Sequence, residues 1–140
     1  MSWSPESGAG AAPVNALFVY GSLRSEHPSH ALVAPYVVKI VMGSTTGRLL
    51  AMPGGYPGLI EDENNHLRVV GELMHLRNAN VAFAVLDEYE GSEYRRVLRP
   101  ITMASGGEGL AWCYLLTATA STRGTPIPGG DWLAWTRRLV

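Results

Sequence analysis

Only one stretch of this chain is long and periodic enough to be a helix of more than two turns. It starts behind Asn78, a residue type that caps helix starts, and runs to about Tyr89, with Gly91 following as a stop. Val81, Val85, Leu86 and Tyr89 recur at i, i+4, i+5 and i+8 and predict one apolar stripe along it. Everything else is short. Residues 16–20, 37–42, 47–51, 56–60, 67–76, 94–103 and 110–117 read as about seven strands, most of them bounded by glycine, proline or polar clusters. Gly43 is expected to end the second of these, and 105–109 to form a hairpin connection. Residues 28–34 have helix-start chemistry with Ser29 as a cap, and Asp131 is expected to cap a last short helix through Arg137. A doubly wound parallel sheet needs a crossover helix for nearly every strand pair, and this pattern supplies one. The expected class is therefore α+β, with a mainly antiparallel curled sheet or small barrel.

The 140 residues suit one domain, and 46% apolar against 16% charged residues is enough to bury and too little charge for disorder. The 16 glycines and 9 prolines are consistent with many turns between short elements. A formal net charge of −1 gives no basic excess for nucleic acid or an anionic membrane surface, so neither partner is expected. Residues 1–14 are rich in Ser, Gly, Ala and Pro and read as a flexible tail before a domain at 15–140. No leader-like or membrane-spanning run is apparent, and a cytoplasmic location is the expectation. Cys113 is the single cysteine, so no internal disulfide is possible. The oligomeric state is not legible.

Two segments carry candidate chemistry. The run Phe18-Val19-Tyr20 ends in Gly21-Ser22-Leu23, a turn leaving a strand. Such a turn exposes successive N–H groups that can cradle an anion or oxyanion. No Gly-Lys-Ser/Thr follows, so it is not a phosphate loop. The second segment, Leu86-Asp87-Glu88-Tyr89-Glu90, places Glu90 in the last turn of the helix. The negative end of a helix and the nearby Asp87 and Glu88 favour protonation there, while Arg95 and Arg96 oppose it. A carboxyl group held near neutrality can give and take a proton. The bland alternatives are a solvated acidic helix end and an ordinary strand exit.

Taken in order, Phe-Val-Tyr-Gly-Ser-Leu-Arg at 18–24, Gly-Tyr-Pro-Gly-Leu at 55–59, Leu-Asp-Glu-Tyr-Glu-Gly with Tyr-Arg-Arg at 86–96, and Ile-Pro-Gly-Gly-Asp-Trp at 127–132 resemble the gamma-glutamylcyclotransferase-like family. The resemblance covers about 15–135. It implies a compact mixed β-barrel with flanking α-helices, and an enzyme that converts a gamma-glutamyl amine or amino acid to 5-oxoproline and a free amine. It further implies that Tyr20, Gly21, Ser22 and Leu23 hold the glutamyl moiety, that Glu90 is catalytic, and that Tyr114 contacts substrate. The leaving amine stays open among an amino acid, a lysine side chain and a secondary-metabolite amine. The competing reading is a non-catalytic small-molecule-binding protein that keeps the fold.

The chemistry requires no protein nucleophile, because the α-amine of the substrate attacks its own γ-carbonyl; no cofactor and no metal are expected. His27, His30, His66 and His75 lack metal-ligand spacing, and Cys113 sits in an apolar strand and reads as core. Arg95, Arg96 and Tyr94 are open between a role in the site and a strand face or barrel mouth. Tyr56 and Pro57 read as pocket rim, and Asp131 and Trp132 as anchors of the last helix.

Overall fold

The computed structural model describes residues 14–64 and 66–137; of the expected tail at 1–14, residues 1–13 lie outside them. Val14, its last residue, is held: its carbonyl accepts a hydrogen bond from Trp112 Nε1 at 3.2 Å. Eight strands form one sheet: β1 (Ala16–Val19), β2 (Val37–Thr46), β3 (Arg48–Ala51), β4 (Pro57–Ile60), β5 (Arg68–Leu76), β6 (Tyr94–Met103), β7 (Glu108–Leu116) and β8 (Thr125–Pro126). The ring β1-β5-β2-β6-β7 closes on itself through a parallel contact of β1 with β7 at Leu17 and Trp112. The other four joins of the ring are antiparallel. The short strands β4, β3 and β8 extend the sheet beyond β7. This is a five-stranded barrel with three added strands, of the mixed, mainly antiparallel kind the sequence predicts. Among the described residues three α-helices flank it: α1 (Ala79–Glu90), α2 (Ala118–Ser121) and α3 (Trp132–Arg137). No helix among the described residues is long and apolar enough to cross a membrane.

The run at 16–20 is apolar at every position because it is buried on both faces. Ala16, Phe18 and Tyr20 point into the barrel with Leu59, Leu73, Ile101, Cys113 and Leu115. Leu17 and Val19 face outward and are covered by Val33 and α1. The helix buries Ala79, Ala82, Phe83 and Leu86, spaced i, i+3, i+4 and i+7. This corrects the predicted stripe: of its four residues only Leu86 is buried, Val81 and Val85 are exposed, and Tyr89 is exposed at the helix end beside Ser22. Alanines at 79 and 82 let the helix axis approach the barrel, and Phe83 supplies the bulk, meeting Trp112 edge-on at 6.3 Å between ring centroids.

Three local expectations also change. β2 runs through Gly43 to Thr46, because β5 continues to supply partners from Gly71 to Arg68. Residues 28–32 form a 3₁₀ turn capped by His27, whose Nδ1 accepts from the Ser29 N–H at 3.0 Å. Asn78 precedes α1 in a left-handed conformation (φ 50°) without a side-chain cap. Asp131 does cap α3, accepting from the N–H groups of Leu133 and Ala134 at 3.1 and 3.3 Å.

Candidate active site

The exit of β1, the end of α1 and the start of β6 meet at one cavity of about 340 Å³. The 20–23 turn forms one wall, Glu90 and Tyr89 another, and Tyr56, Pro57, Glu93, Tyr94 and Tyr114 complete the lining. Tyr20, Gly21, Ser22, Leu23, Glu90 and Tyr114 therefore all border the same space. Arg95 and Arg96 do not line it.

The turn is built by commitment of the chain that follows it. The Arg24 N–H closes back on the Gly21 carbonyl at 3.1 Å. Among the described residues, no protein acceptor takes the N–H groups of Gly21, Ser22 or Leu23. Buried donors normally find partners, so this turn is equipped to receive an acceptor from outside. Gly21 is required by close approach: a Cβ there would stand 2.5 Å from Pro57 Cγ. Tyr20 acts through its ring and hydroxyl as a strut. It donates to the Tyr114 carbonyl at 2.5 Å and accepts from the Leu59 N–H at 3.1 Å, tying β1 to β7 and β4 under the cavity. The Ser22 hydroxyl meets the Tyr89 hydroxyl at 3.2 Å and joins the turn to α1.

Glu90 is the last residue of α1, and Gly91 ends the helix at φ 75° with its N–H bonded to the Asp87 carbonyl. Burial pushes the Glu90 carboxyl up to about 7. That is the direction the helix-end argument favoured, but the cause is desolvation. Arg96 does not oppose it, because Arg96 is spent elsewhere. Its Nε lies 3.0 Å from Asp87 Oδ1, and its guanidinium covers the faces of Phe83 and Trp112 at 4.3 and 4.6 Å. No hydrogen bond or ion pair engages the Glu90 carboxyl among the described residues.

The neighbouring acids differ. Asp87, one turn earlier, is opposed by burial yet held below the usual carboxylate range by hydrogen bonds from Arg96 and Tyr114. The Tyr114 hydroxyl donates to Asp87 Oδ1 at 2.6 Å, and its own ionisation is pushed far up by burial and that bond. Glu93 accepts from the Tyr56 hydroxyl at 2.9 Å and pairs with Arg123 at 2.5 Å. The Tyr94 hydroxyl donates to the Pro57 carbonyl at 2.5 Å. Of the cavity's two carboxyl groups, Glu90 alone is unpartnered within the described chain and poised near neutrality, a combination suited to proton transfer.

Tyr89, Glu93 and Glu72 escaped the sequence reading. Tyr89 reads as part of the helix stripe, and Glu93 carries no local pattern. Glu72 had a signal: it is the single acid of its strand, inside the apolar stretch 69–74, where burial demands a partner. Cys113 is fully buried and its thiol is pushed up to about 12, in keeping with a core role. Arg99 is buried at another barrel position, bonded to Glu61 and the Thr46 carbonyl.

The barrel is shared with solved structures. YkqA of Bacillus subtilis superposes with a TM-score of 0.73 at 23% identity over 89% of this chain, which spans 42% of YkqA. PH0828 of Pyrococcus horikoshii gives 0.66 at 20% identity, covering 89% of this chain and 94% of that one. An AIG2-like protein of Mus musculus gives 0.60 at 23% identity, covering 75% and 78%. No curated protein matches the chain in sequence. The family model described as gamma-glutamyl cyclotransferase, AIG2-like, matches residues 17–134. The cavity, its strand-exit turn and its helix-end glutamate all fall inside that match, and the chain belongs to this gamma-glutamyl cyclotransferase, AIG2-like family.

Proposed function

We propose that the protein is a gamma-glutamyl cyclotransferase-type enzyme, carried by one domain over 15–140, that releases 5-oxoproline and a free amine. The observation that carries this reading is Glu90: an unpartnered carboxyl near neutrality, on the same cavity as three free backbone N–H groups. The 20–23 turn receives the α-carboxylate or the γ-carbonyl oxygen of the glutamyl group. Glu90, ionised, removes a proton from the α-ammonium. The freed amine attacks the γ-carbonyl and closes a five-membered lactam. Glu90 then delivers its proton to the departing amine as the C–N bond breaks, and the second proton shed by the lactam nitrogen passes to the same amine, which leaves as its ammonium. One carboxyl serves both steps, and its pKa near 7 suits both directions of transfer.

Holding the substrate folded converts the attack into an oriented intramolecular step, an effect of up to roughly 7–11 kcal/mol. Tyr114 borders the substrate with its ring, since its hydroxyl proton is given to Asp87. The leaving amine lies toward Tyr56, Glu93 and Tyr94, and it is an amino acid, a lysine side chain or a metabolite amine.

The test is incubation with a panel of gamma-glutamyl amines, with 5-oxoproline read by mass spectrometry, after dialysis against chelator. Formation of 5-oxoproline from at least one free α-amine substrate, with none from its N-acetylated counterpart, is the expected result. Equal cleavage of the N-acetylated compound would make the protein a hydrolase. Binding of glutamyl compounds without turnover would leave it a binding protein of this fold.

A further inference from the structure

Glu72 lies on β5 opposite Val19, the last residue of β1, and is 5% exposed. Residues directly opposite on paired strands share a face, so Glu72 stands beside the strand exit that becomes the 20–23 turn. Among the described residues its carboxyl group has one partner residue. One oxygen accepts from the Ser25 N–H at 2.6 Å, the other from the Ser25 hydroxyl at 2.7 Å. Burying an acid for the sake of one exposed serine is costly unless that serine must be held.

The peptide planes show what is held. The Leu23–Arg24 peptide has its carbonyl on the His30 ring at 2.9 Å and its N–H on the Gly21 carbonyl at 3.1 Å. A carbonyl only accepts, so His30 Nδ1 carries the proton. The next peptide, Arg24–Ser25, has its carbonyl on the His27 N–H at 2.9 Å and its N–H on Glu72. Two consecutive planes are thus fixed at both ends, immediately after three N–H groups with no protein acceptor. The Arg24 side chain, itself buried, is tied to Asp131 at 3.2 Å. Rotation of the planes that aim the free N–H groups would have to break this chain of bonds, and among the described residues Glu72 anchors it in the barrel wall.

We infer that Glu72 is a positioning residue: through Ser25 it locks the turn so that the N–H groups of Gly21, Ser22 and Leu23 face the cavity ready to take an anionic or carbonyl oxygen. This rests on the cyclotransferase reading for the identity of the ligand, but not for the locking itself.

The experiment compares the parent with Glu72→Ala, Glu72→Gln and Ser25→Ala by two readouts. One is 5-oxoproline affinity by calorimetry. The other is amide hydrogen exchange over 21–25, which needs no ligand. Glu72→Ala should speed exchange at Ser25 and weaken 5-oxoproline by about tenfold or more, the scale of hydrogen bonds to a charged acceptor. In turnover it should raise KM while leaving the pH midpoint of kcat, which Glu90 sets, in place. Glu72→Gln should restore affinity to within about threefold, because its amide oxygen accepts from the Ser25 N–H and its NH₂ donates to the Ser25 hydroxyl. Parent-like exchange at Ser25 in Glu72→Ala, parent-like affinity despite fast exchange, or a glutamine no better than alanine would each overturn the inference. If Glu72→Ala does not fold, Ser25→Ala decides: about threefold weaker binding supports the lock, and parent affinity refutes it. A parent that neither binds nor forms 5-oxoproline overturns the cyclotransferase reading, and exchange at Ser25 then judges Glu72 alone.

Discussion

Replacing Glu90 by Gln should stabilise the protein while abolishing its turnover, and the stabilisation should depend on pH. Burial raises the Glu90 carboxyl from a usual value of 4.5 to about 7. Each tenfold change in proton affinity is worth about 1.4 kcal/mol, which sets an upper bound of about 3 kcal/mol. The sign follows from linkage. Below pH 4.5 the group is protonated in both the folded and unfolded chain and contributes nothing. Between 4.5 and 7 the unfolded chain ionises first, so the parent loses stability as pH rises. Above 7 the whole penalty is present. Glu90 is partly solvated, so about 1–3 kcal/mol is the working range, or roughly 3–10 °C in Tm for a domain of this size. Thermal unfolding of both proteins by circular dichroism from pH 4 to pH 8 measures it. The two curves should coincide at pH 4 and separate in favour of glutamine by pH 8. Turnover should fall by at least about 10²-fold in the variant, and the parent should lose activity as pH falls through about 7. A parent–variant difference flat across this range would refute the argument that burial holds the carboxyl up. Parent-level turnover by the glutamine variant would remove Glu90 from proton transfer.

Gly21→Ala should push Pro57 from the cavity wall, since its Cβ would sit 2.5 Å from Pro57 Cγ. The overpacking, about 1–3 kcal/mol, should appear as roughly ten- to hundredfold weaker 5-oxoproline binding by calorimetry. Tyr20→Phe removes the bonds to the Tyr114 carbonyl and the Leu59 N–H, both buried, and should cost about 2–5 kcal/mol in urea unfolding. Cys113, with its thiol pushed up to about 12 in the core, should resist a thiol reagent at pH 8 until denaturant is added. Cys113→Ala should keep its turnover at a cost of about 1–2 kcal/mol in stability.

The strands of the barrel were legible because their burial leaves a local imprint. A run buried on both faces, as at 16–20, must be apolar throughout, and a strand exit followed by Gly21 marks where it stops. Glu90 was legible because a helix end and a stop glycine fix its place. The covered face of α1 was not. Valines, alanines and a tyrosine surround that helix, so several stripes fit, and alanines at 79 and 82 win through close approach to the barrel rather than through hydrophobicity. The reason for Glu90's raised pKa was also hidden. Desolvation depends on what β1 and β6 place around the carboxyl, and the removal of Arg96 by Asp87, Phe83 and Trp112 is a tertiary fact. The partners of Glu72 and Glu93 lie 47 and 30 residues away along the chain, beyond any local pattern.

The ring closes where β1 meets β7, Leu17 against Trp112. During synthesis the first strand therefore waits for nearly a hundred residues before its second neighbour exists. Its antiparallel partner β5 also arrives late, with Val19 opposite Glu72. Non-local pairing of this kind is slow, because loop closure precedes any reward from contact. Until then the apolar run at 16–20 is an unpaired edge, the kind of segment that nascent chains pass to holding factors or lose to aggregation. The cavity shares that schedule. Its 20–23 turn hangs from the first strand and Tyr114 from the seventh, so the complete cavity should appear in one step with ring closure and never in a partly folded chain.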